Sequence, residues 1–83
     1  MKFTQYFLSI RHRPDRAIIE LVWIERVIQN PVKEIVQEDG RIRIWGAVPE
    51  FEGKYLRVIL LEDRETVHNA FLTGDLSRES QIF

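Results

Sequence analysis

The chain has no cysteine, two histidines, three prolines and four glycines in 83 residues. Without cysteine there is no disulfide framework and no thiolate metal site. Two histidines would need carboxylates to complete a zinc site, and no metal or cofactor motif is expected. No Gly-rich phosphate loop and no Ser-His-Asp spacing occurs. No apolar run approaches the ~18 residues a membrane span requires, and residues 1–10 carry one lysine and no long apolar core, so no secretory leader is expected. The absence of cysteine fits a cytoplasmic protein. Nor does one charge dominate: 12 Lys and Arg face 13 Asp and Glu, for a net charge of −1. Nucleic-acid binding would therefore need local clustering of the basic residues.

What is present suffices for one small domain over residues 1–83, with its core in 3–72 and a polar tail in 73–83. Hydrophobic residues make up 45% of the chain and aromatic residues 11%, which argues against disorder. A chain of this size buries only about 60–65% of its unfolded surface, so the core is small.

The stretch Arg41 to Phe71 organises the rest, as three strands joined by two hairpins. Arg41 to Val48 alternates, with Ile42 and Ile44 on one face and Arg41, Arg43 and Trp45 on the other. Gly46 inside it marks a bulge or a close backbone approach. Pro49 to Lys54 is a loop, Tyr55 to Glu62 is apolar on both parities as a central strand is, and Thr66 to Leu72 returns. Asp39-Gly40 reads as a two-residue hairpin turn behind a strand at Val32 to Glu38. Residues 3–12 alternate with the strand period, which predicts a leading edge strand. Pro14-Asp15 suits the first turn of a helix, expected to run to Gln29 and stop before Pro31. Ala17, Leu21, Ile24 and Ile28 form one helical stripe, expected to face the sheet. Ile19, Trp23 and Val27 form a second, expected to stay open for a partner, with a second copy of the chain as first candidate and the tail's Ile82-Phe83 as an internal alternative. The fold class is α+β: one principal helix packed on a twisted antiparallel sheet of four to five strands.

Hairpin register places Val48 opposite Lys54, Trp45 opposite Arg57 and Arg43 opposite Ile59, with Ile59 near His68 and Arg57 near Ala70. Ile42, Ile44, Leu56, Val58, Leu60, Val67 and Phe71 then form the core face. Arg43, Trp45, Tyr55, Arg57 and His68 occupy the other. Arginines beside aromatic rings suit single-stranded RNA, the guanidinium for phosphate and the ring for a base, and a histidine can move a proton near neutral pH. The bland alternative is a solvated sheet face whose arginines pair with Glu50, Glu62 or Glu65. A second basic cluster, His12 with Arg11, Arg13 and Arg16, lies at the helix entry, where the bland reading pairs Arg16 with Glu20 at i,i+4.

A helix followed by Asn30-Pro31, then RIRIWG, YLRVIL and TVHNAF, with His12 and Arg16 as an HxxxR at the helix entry, resembles the small bacterial domains related to RelE-like and BrnT-like toxins. The similarity covers residues 12–72. It implies an α+β fold with an antiparallel sheet, metal-independent cleavage of RNA in active members, and an antitoxin partner. If the chain cleaves RNA, His68, Arg57 and Arg43 of the outer sheet face are the candidate catalytic residues, and Trp45, Tyr55, Arg41, His12 and Arg16 the candidate RNA contacts. BrnT-like toxins tend to carry arginine where this chain has Phe71. A non-catalytic interaction module on the same scaffold is the alternative.

Overall fold

The computed structural model describes residues 1–73. Five strands and three short helices follow one another as β1 (Lys2–Phe3), α1 (Gln5–Ile10), α2 (Pro14–Ala17), α3 (Leu21–Gln29), β2 (Lys33–Val36), β3 (Ile42–Val48), β4 (Lys54–Leu60) and β5 (Thr66–Thr73). The sheet order is β1-β5-β4-β3-β2. The β2–β3, β3–β4 and β4–β5 pairs are antiparallel, whereas β1 runs parallel to β5. The fold is α+β, and its sheet is mixed rather than wholly antiparallel. Among the described residues no helix is long and apolar enough to cross a membrane. The expectations for the tail, including Ile82-Phe83, lie outside the described residues beyond Thr73.

The leading strand is only two residues long. The Thr4 hydroxyl accepts a hydrogen bond from the Phe7 N–H at 3.1 Å and caps α1, satisfying one of the orphan donors at a helix start. Burial then follows the helical spacing: Phe7 and Ile10 are buried, while Tyr6 and Leu8 stay exposed. Alternation in residues 3–12 was also compatible with an i, i+3 pair, and the cap with that pair prevails.

The expected helix over 14–29 is two helices. Ile18, Ile19 and Glu20 lie between α2 and α3, with Glu20 extended. The interruption lets Ile19 turn into the core at 5% exposure while its neighbour Ile18 remains 48% exposed. It also re-aims α3. Trp23, Ile24 and Val27 are buried, and Leu21 and Ile28 only flank the core. Ile19, Trp23 and Val27 are therefore core, not an open partner face, and Trp23 packs near the Phe51 ring, 6.3 Å between centroids.

Strands β3 and β4 pair as the sequence indicated, with Val48 opposite Lys54, Trp45 opposite Arg57 and Arg43 opposite Ile59. Ile42, Ile44, Leu56, Val58, Leu60 and Val67 are buried on the helix side. The first hairpin differs. Gly40 N–H donates to the Gln37 carbonyl at 3.0 Å, Gln37 N–H to the Arg41 carbonyl at 2.7 Å, and Gly40 sits at φ +88°. This is a three-residue loop, Glu38 to Gly40, with glycine in the left-handed position that closes such a turn. The second hairpin differs more. Leu60 lies opposite Val67, yet Ile59 lies opposite Asn69, so His68 is the extra residue of a bulge. From there the parity of β5 is reversed: Ala70 enters the core at 1% exposure, and Phe71 moves to the other face opposite Arg57.

Helix α3 lies close against β3 because Gly46 has no side chain. A Cβ at Gly46 would stand 2.7 Å from Val27 Cγ2. The pairing of β3 with β4 runs without interruption through this residue, so Gly46 serves a close approach and not a bulge. Gly46→Ala should destabilise the protein by about 1–3 kcal/mol, the usual range for overpacking. Val27→Ala in the same chain should recover part of that loss, and urea denaturation of the two variants measures it.

The far end of α3 is tied to the β3–β4 loop by a fork. Arg26 Nη1 and Nη2 donate to Glu50 Oε1 and Oε2 at 2.8 and 2.6 Å. The Arg26 hydrogen bond is the main reason the Glu50 carboxyl lies at about 2, well below its ordinary value of 4.5. A carboxylate held below its unfolded pKa adds stability above that pKa, and loses it as pH falls through the native one. Glu50→Gln should therefore flatten the decline of the melting temperature between pH 4.5 and 2. An unchanged acid profile would show that the fork carries no linkage.

Candidate functional site

The sheet face away from α3 is set by the β3–β4 register and the β5 bulge together. Its strand positions are Lys33, Ile35, Arg43, Trp45, Ala47, Tyr55, Arg57, Ile59, Asn69, Phe71 and Thr73. Three of these are cations and none is a carboxylate. Of the acids invoked by the bland reading, Glu50 is engaged by Arg26 and Glu65 by Lys2 at 3.6 Å, while the Glu62 side chain lies against Gly40 in the first hairpin.

Phe71 is the centre of the arrangement. The Arg57 guanidinium lies 4.0 Å from its ring centroid and the Arg16 guanidinium 5.2 Å. Both distances suit cation–π contact. Arg16 arrives from α2, so the helix-entry cluster and the sheet face, separate in the sequence, meet on one ring. Arg16 also pairs with its neighbour Asp15, not with Glu20; α2 ends at Ala17 and provides no i,i+4 geometry. An open groove of about 410 Å³ runs beside this ring, bordered by Asp15, Arg16, Phe51, Lys54, Phe71 and Thr73 among others.

Arg43 is held by Gln37. In the amide orientation that satisfies both groups, the Gln37 oxygen accepts from Arg43 Nε and Nη2 at 2.7 and 2.6 Å. The amide fixes the direction of the guanidinium. Trp45 is on the expected face but fully buried, with the Lys33 ammonium 5.2 Å from its ring. At 0% exposure its indole is not open to a base. Tyr55 is half-buried in the same layer, opposite Ala47 and Thr73.

His68 is turned towards the β1 edge. Its Nδ1 lies 3.2 Å from Thr4 Oγ1, and its ring stacks on Tyr6 at 5.0 Å. Burial, followed by the charge of Arg41, holds its pKa below the ordinary 6.5, with Asp39 opposing weakly. Arg41 is exposed at the hairpin end, 3.8 Å from Asp39 through Nε. His12 borders a different depression with Leu8, Arg11 and Ala17. The geometry thus gathers Arg57 and Arg16 at Phe71 and sets Arg43 across the face. It leaves His12, Arg41 and His68 apart from that cluster. Sequence reasoning missed Phe71 as part of the face; one extra residue in the last hairpin would have moved it there, but nothing local announces the bulge.

Compared with protein-family models, curated proteins and solved structures, the chain has no significant match.

An imidazole whose charged form is disfavoured loses its proton at lower pH. In an NMR titration of the two histidines, the His68 ring should titrate below 6.5, and Thr4→Val should move its midpoint. A His68 midpoint at or above 6.5 would contradict the desolvated setting described above.

Proposed function

We propose that this chain is a RelE/BrnT-like domain that contacts single-stranded RNA through the outer face of its sheet, as a binding module without nuclease activity. The observation that carries the reading is the pair of guanidiniums, Arg57 and Arg16, brought to the single ring of Phe71 on a face whose strand positions hold no carboxylate. A guanidinium is a planar fork that matches a phosphate, and Arg16 would exchange its Asp15 pairing for one. Aromatic rings such as the half-buried Phe71 are the groups on which bases stack. Arg43, oriented by Gln37, lies further across the same face towards β2.

What favours binding over cleavage is the direction of His68. Its ring contacts Thr4 and Tyr6 on the β1 side, and two strand spacings of about 4.8 Å separate β5 from Arg43 on β3. A general acid or base must reach the proton it moves, and the His68 ring is engaged with Thr4 and Tyr6, not with the Arg57–Phe71–Arg16 cluster.

Binding of a fluorescent single-stranded oligoribonucleotide should weaken as salt rises. Arg57→Ala and Arg16→Ala should each lower affinity across sequences and reduce the salt slope by roughly 0.7–1, the effect of one lost phosphate contact. His68→Ala should leave binding intact. Absence of salt-sensitive binding at micromolar RNA would end the RNA reading, and cleavage that depends on His68 would end the non-catalytic one.

A further inference from the structure

Trp45 stands in the middle of the outer face and is 0% exposed. Tryptophan is large and is rarely buried completely. The described helices lie elsewhere: α3 packs on β3 and β4 from the opposite side, and α1 and α2 pack against β5. Side chains on a sheet stand roughly side by side, so neighbours on adjoining strands flank a ring and do not roof it. Lys33 reaches over the indole, 5.2 Å from its ring. The Arg43 guanidinium is directed to Gln37 and that of Arg57 to Phe71. Ala47, the next outer position on β3, is short and itself exposed. One lysine does not hide an indole from every side. The burial is that of a single chain by itself, so the remaining cover has to come from the same chain.

Strand β5 ends at Thr73, on this same face. Tyr55 and Ala47 lie directly across from Thr73, and Trp45 is two residues further along β3. Two strand spacings of about 4.8 Å and two residues of about 3.4 Å put Trp45 roughly 12 Å from that point. About four extended residues span such a distance, and Gly74 to Phe83 supply ten.

We infer that residues 74–83 lie across the outer face over Trp45, as an intramolecular guard that any ligand of this face must displace. Their chemistry matches the surface. Leu76, Ile82 and Phe83 bring apolar side chains to the indole. Asp75 and Glu79 bring carboxylates to a face whose strand positions carry Lys33, Arg43 and Arg57 and no carboxylate. Arg78 is the one cation of the segment. The inference does not rest on the RNA reading. It adds to that reading a competitor already present in the chain, so RNA binding would begin with release of the segment.

The two tryptophans make the test direct, because Trp23 lies on the helix side of the sheet and Trp45 on the other. The chain has no cysteine, so Ser77→Cys or Ser80→Cys in the full-length protein carries a single nitroxide label. In NMR spectra without added ligand, the label should broaden the Trp45 indole N–H signal several-fold more than that of Trp23. Replacing Leu76, Ile82 and Phe83 together by serine should make the Trp45 indole proton exchange with solvent roughly tenfold faster, and leave Trp23 unchanged, as a local opening does. The inference fails if both labels broaden Trp23 as much as Trp45, or if the triple serine variant leaves Trp45 exchange as slow as before. It fails too if spin-labelled chain broadens Trp45 as strongly in an isotope-labelled wild-type chain mixed with it, since a second copy would then occupy the face. Should the triple variant unfold, both indoles exchange together and the spin-label measurement decides.

Discussion

The approach of α3 to β3 at Gly46 is the constraint on which the rest of this small structure depends. With no Cβ at Gly46, Val27 can sit where a larger residue's side chain would be. That closeness lets one nine-residue helix cover the sheet's centre, burying Trp23, Ile24 and Val27 over Ile44 and Leu56. A helix this short is marginal by itself and owes its stability to such packing. The break at Ile18 to Glu20 belongs to the same solution. A continuous helix from Pro14 would have kept a single axis, whereas the break sets α3 in place and brings Ile19 inward to extend the core towards α1, whose Phe7 and Ile10 complete it.

The bulge at His68 governs the opposite face. One extra residue in β5 exchanges the sides of everything after it. Ala70 replaces Phe71 in the core, where a small side chain suits the crowded space beneath the helices. Phe71 becomes the ring that holds Arg57 and Arg16 together. The same residue accounts for the turn of His68 towards Thr4. A bulged position leaves the regular ladder, and here the ring leaves with it to contact the cap of α1. The electrostatics of the outer face and the anchoring of the N-terminal helix thus have one local cause.

Much of this was legible in the residues because β3 and β4 obey local rules. Their alternation and the length of the Pro49–Gly53 loop determine the register from Val48–Lys54 to Ile42–Leu60 without outside information. The expected core face was right at Ile42, Ile44, Leu56, Val58, Leu60 and Val67 and wrong at Phe71. What failed depended on non-local choices. Residues 5–10 fit either period, and only the Thr4 cap and the core available to Phe7 and Ile10 decide between them. The two stripes of residues 17–28 were assigned on an unbroken helix, so a break at Glu20 brought Ile19, Trp23 and Val27 into the core beside Ile24 and left Leu21 and Ile28 at its flank. The site was half legible for the same reason: Arg43, Trp45, Tyr55 and Arg57 follow from the ladder, while Arg16 reaches it through tertiary packing and Phe71 through a bulge.

A net charge of −1 does not say where the charges sit, and several carboxylates are held away from the outer strand positions. Glu34, Glu50, Asp63 and Glu65 are engaged by Arg64, Arg26, Thr66 and Lys2 on the helix side, the loops or the turn. Lys33, Arg43 and Arg57 share the other side with aromatic rings. A polymer of phosphates responds to the local potential within about 8 Å at physiological salt, not to the distant sum.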